Sequence, residues 1–131
     1  ENPPFFLHHA RDARERRLPV LHKGNLDAKE SMAPIVTFAR LYALKHGARA
    51  LGTRERLEEL PDRGLLEGGL VGETLQAYDL LARLRLEAQL AGAGNLVDAA
   101  ALPHADQALL KESLALLSLL QKRIGYDFLG G

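Results

Sequence analysis

The chain has no cysteine and no tryptophan, a single methionine, and only 5% aromatic residues among its 131 positions. Without thiols there can be no disulfide framework, no cysteine nucleophile and no Cys-based zinc site. Strand-forming residues are nearly as scarce: 4 Val, 2 Ile and 3 Thr stand against 28 Leu and 19 Ala. Leu and Ala lose little on entering a helix, so an extended sheet is not expected. Long apolar runs are missing too. The most apolar stretch, 114–120, is interrupted by Ser118 and falls far short of the ~18 residues needed to span a bilayer. The N-terminus lacks the basic region and apolar run of a secretory signal. These absences point to a cytoplasmic protein with no membrane partner. Because the sequence opens on Glu1 rather than Met, a C-terminal fragment of a longer protein is expected.

Bulk charge of one sign is lacking as well. Seventeen basic residues balance 17 acidic ones, which argues against electrostatic capture by nucleic acid. The balance hides an asymmetry: residues 1–64 carry 12 basic and 9 acidic groups, residues 65–131 carry 5 and 8. Arg40, Lys45, Arg49, Arg54 and Arg56 make the densest basic run, with Glu55 its one acid.

What is present is helical periodicity. Hydrophobic residues make up 47% of the chain and charged residues 26%, suited to one packed domain over 1–131. Pro3 and Pro4 suit the start of a first helix running to about Arg17. Residues 18–27, broken by Pro19 and Gly24, read as an irregular or hairpin-like connector. Ser31 reads as the N-cap of a second helix, buried along Met32, Ile35, Val36, Ala39, Tyr42 and Ala43 and ended by Gly47. Thr53 caps a short third helix stopped by Pro61. The fourth runs from about Leu70 to Ala91, and the fifth from about His104 to Arg123. Leucines wrap widely around the fifth, which places it centrally. The expectation is an all-α bundle of about five helices.

Enzymatic motifs are thin. No Gly-rich phosphate loop and no Gly-x-Ser-x-Gly elbow occurs, and the five histidines form no helical metal pair. We expect no catalytic residue and no metal ligand in this chain. Arg40 and His46 match the spacing of HEPN-type ribonucleases, in which arginine steadies phosphate and histidine moves protons. A solvated arginine and a helix-terminal histidine explain the pair more simply. On the fourth helix Asp79, Arg83 and Glu87 read as an ion-pair ladder. Arg85 instead shares a face with Tyr78, Leu81, Ala82 and Gln89. It needs either a carboxylate partner, for which Asp27 is the candidate, or a ligand.

An ordered series of blocks then carries a resemblance. Leu26-Asp27-Ala28-Lys29 and the stretch Ala33 to Leu44 resemble the opening signature of the nucleotidyltransferase substrate-binding domain family. The likeness continues through Thr53 to Leu57 and Leu84 to Leu90, and ends with Leu109 to Leu114. Together the blocks span about residues 3 to 124. The sequence departs from the commoner pattern in having Glu30, Ser31 and Met32 where glycine is usual.

The resemblance implies an all-helical accessory domain, itself non-catalytic, of a bacterial signal-transduction nucleotidyltransferase. In such proteins it follows a polymerase-β-type catalytic domain, often beside CBS or cyclic-nucleotide-binding domains. Mg and a nucleoside triphosphate are expected of that upstream domain of the same chain. A nucleotide or a protein acceptor is the expected substrate. By the same analogy Asp27, Lys29, Arg40 and Arg85 are the substrate-binding residues, the cations meeting phosphates or acidic groups. A helical interaction module that forms a weak homodimer is the alternative, and the Arg40/His46 ribonuclease a third reading.

Overall fold

The computed structural model describes residues 3–47, 49–62, 64 and 66–130. Five helices dominate them: α1 (Pro3–Glu15), α2 (Ala28–Lys45), α3 (Thr53–Asp62), α4 (Gly68–Leu90) and α5 (His104–Leu129). Two three-residue strands, β1 (Asn25–Asp27) and β2 (Leu96–Asp98), pair antiparallel with Leu26 opposite Val97. A 3₁₀ turn over Ala99–Ala101 follows β2. The all-α reading holds, with this one small clip added.

The connector is hairpin-like only at its tip. His22 and Asn25 exchange backbone hydrogen bonds across Lys23 and Gly24. Both central residues have positive φ, 53° and 81°, as a type I′ turn requires, and glycine supplies the second at no steric cost. The strand leaving that turn does not return along the connector. It pairs with β2, because Leu26 and Val97 are apolar and together cover the end of the core.

Several helix ends fall where the sequence did not place them. α2 starts four residues early, with Asp27 rather than Ser31 as its N-cap. Asp27-Ala28-Lys29-Glu30 has the spacing of a capping box, and the Asp27 carboxylate accepts the Glu30 N–H at 2.9 Å. Ser31 lies inside the helix, its hydroxyl turned back onto the Asp27 carbonyl at 2.8 Å. At α3, the Gly52 carbonyl accepts the first intrahelical bond, so Thr53 is the first helical residue and not the cap. Pro61 sits in the last turn instead of stopping the helix. α5 runs on past Arg123, because Leu120, Ile124 and Phe128 continue its apolar stripe at four-residue spacing.

The core gathers around α2, which packs against all four other helices, while α5 packs against α1, α2 and α4. The central place expected for the last helix is therefore shared. Met32, Ile35, Ala39, Tyr42 and Ala43 are buried as their spacing implied, and Phe38 and Leu41 join them. Val36 is only half-buried.

Candidate functional site

The site suggested by the sequence lies at the clip end of the bundle. The Ala28 N–H, one residue beyond the Asp27 cap, donates to the Asn95 carbonyl at 2.8 Å. The Asn95 side-chain oxygen accepts from Nε of Arg85 at 2.9 Å. Asn95 thus joins α4 to the first residue of α2. α4 ends at Leu90, and the positive-φ residues Gly92 and Gly94 turn the chain back so that Asn95 lies beside Arg85. The partner of Arg85 is this neutral amide and not the Asp27 carboxylate. Asn95 escaped the sequence reading because nothing in its spacing marks a contact made only after a glycine turn.

Lys29 is exposed on the first turn of α2, and Arg40 is exposed eleven positions further along. Eleven residues return to nearly the same face of a helix but advance about 16 Å along its axis. Asp27, Lys29 and Arg85 therefore lie at one end of the bundle, Arg85 linked to the start of α2 through Asn95, and Arg40 stands apart. Neither Lys29 nor Arg40 has an ion-pair partner among the described residues. An open cavity of about 810 Å³ flanks the same end, lined by Arg16, Arg17, His22, Asp27, Glu30 and the apolar Leu18. The sequence reading gave Arg16, Arg17 and His22 no role. They reach Asp27 only because the connector folds back over the start of α2.

The far end of α2 is organised differently. The Tyr42 hydroxyl, buried with 2% exposure, donates to the Asp127 carboxylate, which also accepts from Nε of Arg123 at 2.9 Å. Arg123 reaches on to Glu67 at 2.8 Å, tying the end of α5 to the start of α4. Burial, then the hydrogen bond to Asp127, push the Tyr42 phenol well above its ordinary pKa. The hydrogen bond from Arg123 holds the Glu67 carboxyl below its own. Phe128 packs edge-on against Tyr42, and the Lys45 ammonium lies 4.6 Å over the Phe128 ring. Every charge here is matched, which is the chemistry of a joint.

The expected ladder on α4 forms in part. Arg83 pairs with Glu87 at 3.3 Å, but also with Asp106 of α5, and Asp79 turns to Arg54 of α3 at 2.6 Å. Arg40 and His46 project about 120° apart around α2. His46 is the C-cap, its ring stacked near Tyr42. Among the described residues no three His, Asp or Glu side chains gather so as to hold a metal ion. No described helix is long and apolar enough to cross a membrane.

Five helices, one two-stranded clip and a charged end built on Asp27, Asn95 and Arg85 define an all-α domain among the described residues. A family model described as "putative nucleotidyltransferase substrate binding domain" matches residues 4–128, and the chain belongs to that family. No curated protein and no solved structure matches it.

Proposed function

We propose that this chain is the non-catalytic substrate-binding domain of a bacterial signal-transduction nucleotidyltransferase, positioning a nucleotide or a protein acceptor for a catalytic domain on the same polypeptide. The family match over residues 4–128 carries this reading. In it, Mg and a nucleoside triphosphate are handled by an upstream polymerase-β-type domain, beside CBS or cyclic-nucleotide-binding domains, in the cytoplasm. Lys29 and Arg85 supply cations at the clip end, and Asp27 orders the turn that presents them. Arg40 serves a more distant part of the ligand. The anchored geometry at Arg85 supports the assignment, because an arginine fixed through Nε keeps its terminal nitrogens for a phosphate or carboxylate.

The test is nucleotidyl transfer by the full-length protein carrying Arg85→Met, which keeps the apolar stem and removes the guanidinium. The expected result is a loss of roughly tenfold or more in kcat/KM with the melting temperature little changed. Normal specific activity in a strongly destabilised variant would reject the ligand role.

A further inference from the structure

The outer face of α4 and α5 carries a second feature that the clip end does not explain. The two helices run antiparallel and leave between them an open groove of about 800 Å³ whose lining comes from these helices alone. Ala77, Leu80 and Leu116 form its floor, and no described element crosses it. Leu109 stands near one end and Leu119 near the other, 42% and 50% exposed. They are ten residues apart on α5, so the groove is about 15 Å long, the length of some three helical turns. Arg85 projects from nearly the opposite side of α4, about 170° away around its axis.

The rim decides what fits. Glu73 and Glu112 line the groove with no cationic partner among the described residues. Asp79 and Arg83 line it too, but each is held in a triad that is itself net negative: Arg54 lies between Asp79 and Glu58, and Arg83 between Glu87 and Asp106. The lining itself thus carries three carboxylates, Glu73, Asp79 and Glu112, against the one guanidinium of Arg83, whose own partners Glu87 and Asp106 add no positive charge. Of the other cations of α5, Lys111 and Lys122 lie on positions turned about 100° or more from the groove-facing side, and Arg123, one turn beyond Leu119, is held by Glu67 and Asp127.

We propose that this groove is a docking site for a basic amphipathic helix of a partner protein. Such a helix lays apolar residues at i, i+3 or i+4 and i+7 between Leu109 and Leu119, with Lys or Arg on both flanks meeting the acidic rim. The exposed leucines give the apolar contact, and the carboxylates exclude acidic competitors. Because the groove faces away from Arg85, the proposal goes beyond the nucleotidyltransferase reading and does not depend on it.

The probe is a fluorescein-labelled peptide of about 16 residues, long enough to form a helix, with Leu at those positions and Lys on the flanks. Anisotropy with the full chain should show saturable binding. A scrambled peptide of the same composition, and one with every Lys changed to Glu, should each bind at least roughly tenfold more weakly. Glu73→Lys with Glu112→Lys should weaken the basic peptide by a similar factor, as should Leu109→Ser with Leu119→Ser. Asp12→Lys with Glu15→Lys on α1 should leave binding unchanged. Amide chemical-shift changes on the unaltered chain should map to α4 and α5, which needs no variant to fold. Equal binding of the scrambled peptide, shifts elsewhere, or no saturation would overturn the proposal. So would self-association abolished by the leucine pair, since that would make a second copy the occupant.

Discussion

The two ends of α2 pose the same physical problem and solve it in opposite ways. At the N-terminal end, Arg85 meets a neutral amide, and Lys29 is left to solvent. At the C-terminal end, Tyr42, Asp127, Arg123 and Glu67 form a closed chain in which each ionised group has a partner. A joint needs its charges matched, because an unmatched group in a half-buried place costs desolvation with nothing in return. A surface that must meet a ligand needs charge left over. Under the proposed function, the difference separates the end that holds the bundle together from the end offered to a ligand.

The comparison can be broken most directly at Asp127. Asp127→Ala leaves the buried Tyr42 hydroxyl with only the Arg123 carbonyl, 3.4 Å away. The expected loss is about 2–3 kcal/mol, read as a lower urea midpoint with an unchanged slope. If the two ends differ as described, Arg85→Met costs less, about 1 kcal/mol, because its partner is an amide and no buried carboxylate is stranded. A loss of 3 kcal/mol or more there would mean that Arg85 is a strut after all. Asp27→Ala removes the α2 cap and should also cost about 1 kcal/mol, while Asp27→Asn should be nearly neutral. Lys29→Gln and Arg40→Gln should shift stability by less than about 0.5 kcal/mol, whatever they do to transfer activity.

Acid sharpens the contrast further. Glu67 has its pKa lowered by folding, so the stability it contributes is present above the ordinary carboxyl value of 4.5 and lost as pH falls through the lower, folded value. Glu67→Gln should flatten the acid limb of a stability–pH profile. An unchanged limb would show that the Glu67–Arg123 contact contributes nothing in solution. At high pH the sign reverses for Tyr42: its raised pKa means the contribution is complete below 10.0 and fades only under strongly alkaline conditions.

The helices were legible because Leu and Ala recur at the helical period, and because Gly47 and Gly92 mark the ends of α2 and α4. The position of Asp27 beside the start of α2 was legible from its neighbours. Its role as the cap was present in the Asp27/Glu30 spacing, but Ser31 is an equally good capping type and drew the assignment away. Two features could not be seen. The Tyr42–Asp127 bond joins residues 85 positions apart, and no local pattern encodes such a meeting. The pairing of β1 with β2 likewise depends on two apolar residues, Leu26 and Val97, that look like ordinary loop hydrophobics until the bundle brings them together. Arg40 was grouped with Lys29 by its resemblance block; the axial rise of the helix sets them far apart.

The β1–β2 clip joins segments roughly seventy residues apart in the chain. Closing a flexible loop of that length costs about 4 kcal/mol in chain entropy before any contact is made. Three residue pairs cannot offset that alone, so the clip has to form after the helices have already brought its ends close. It should then be the first part to open in native-state hydrogen exchange, with Leu26 and Val97 amides less protected than those of Ile35 or Leu81. Since Asn95 sits directly beside the clip, each opening also releases Arg85. The guanidinium would be freed and re-anchored by local fluctuation while the bundle remains folded, giving the charged end a motion independent of the core.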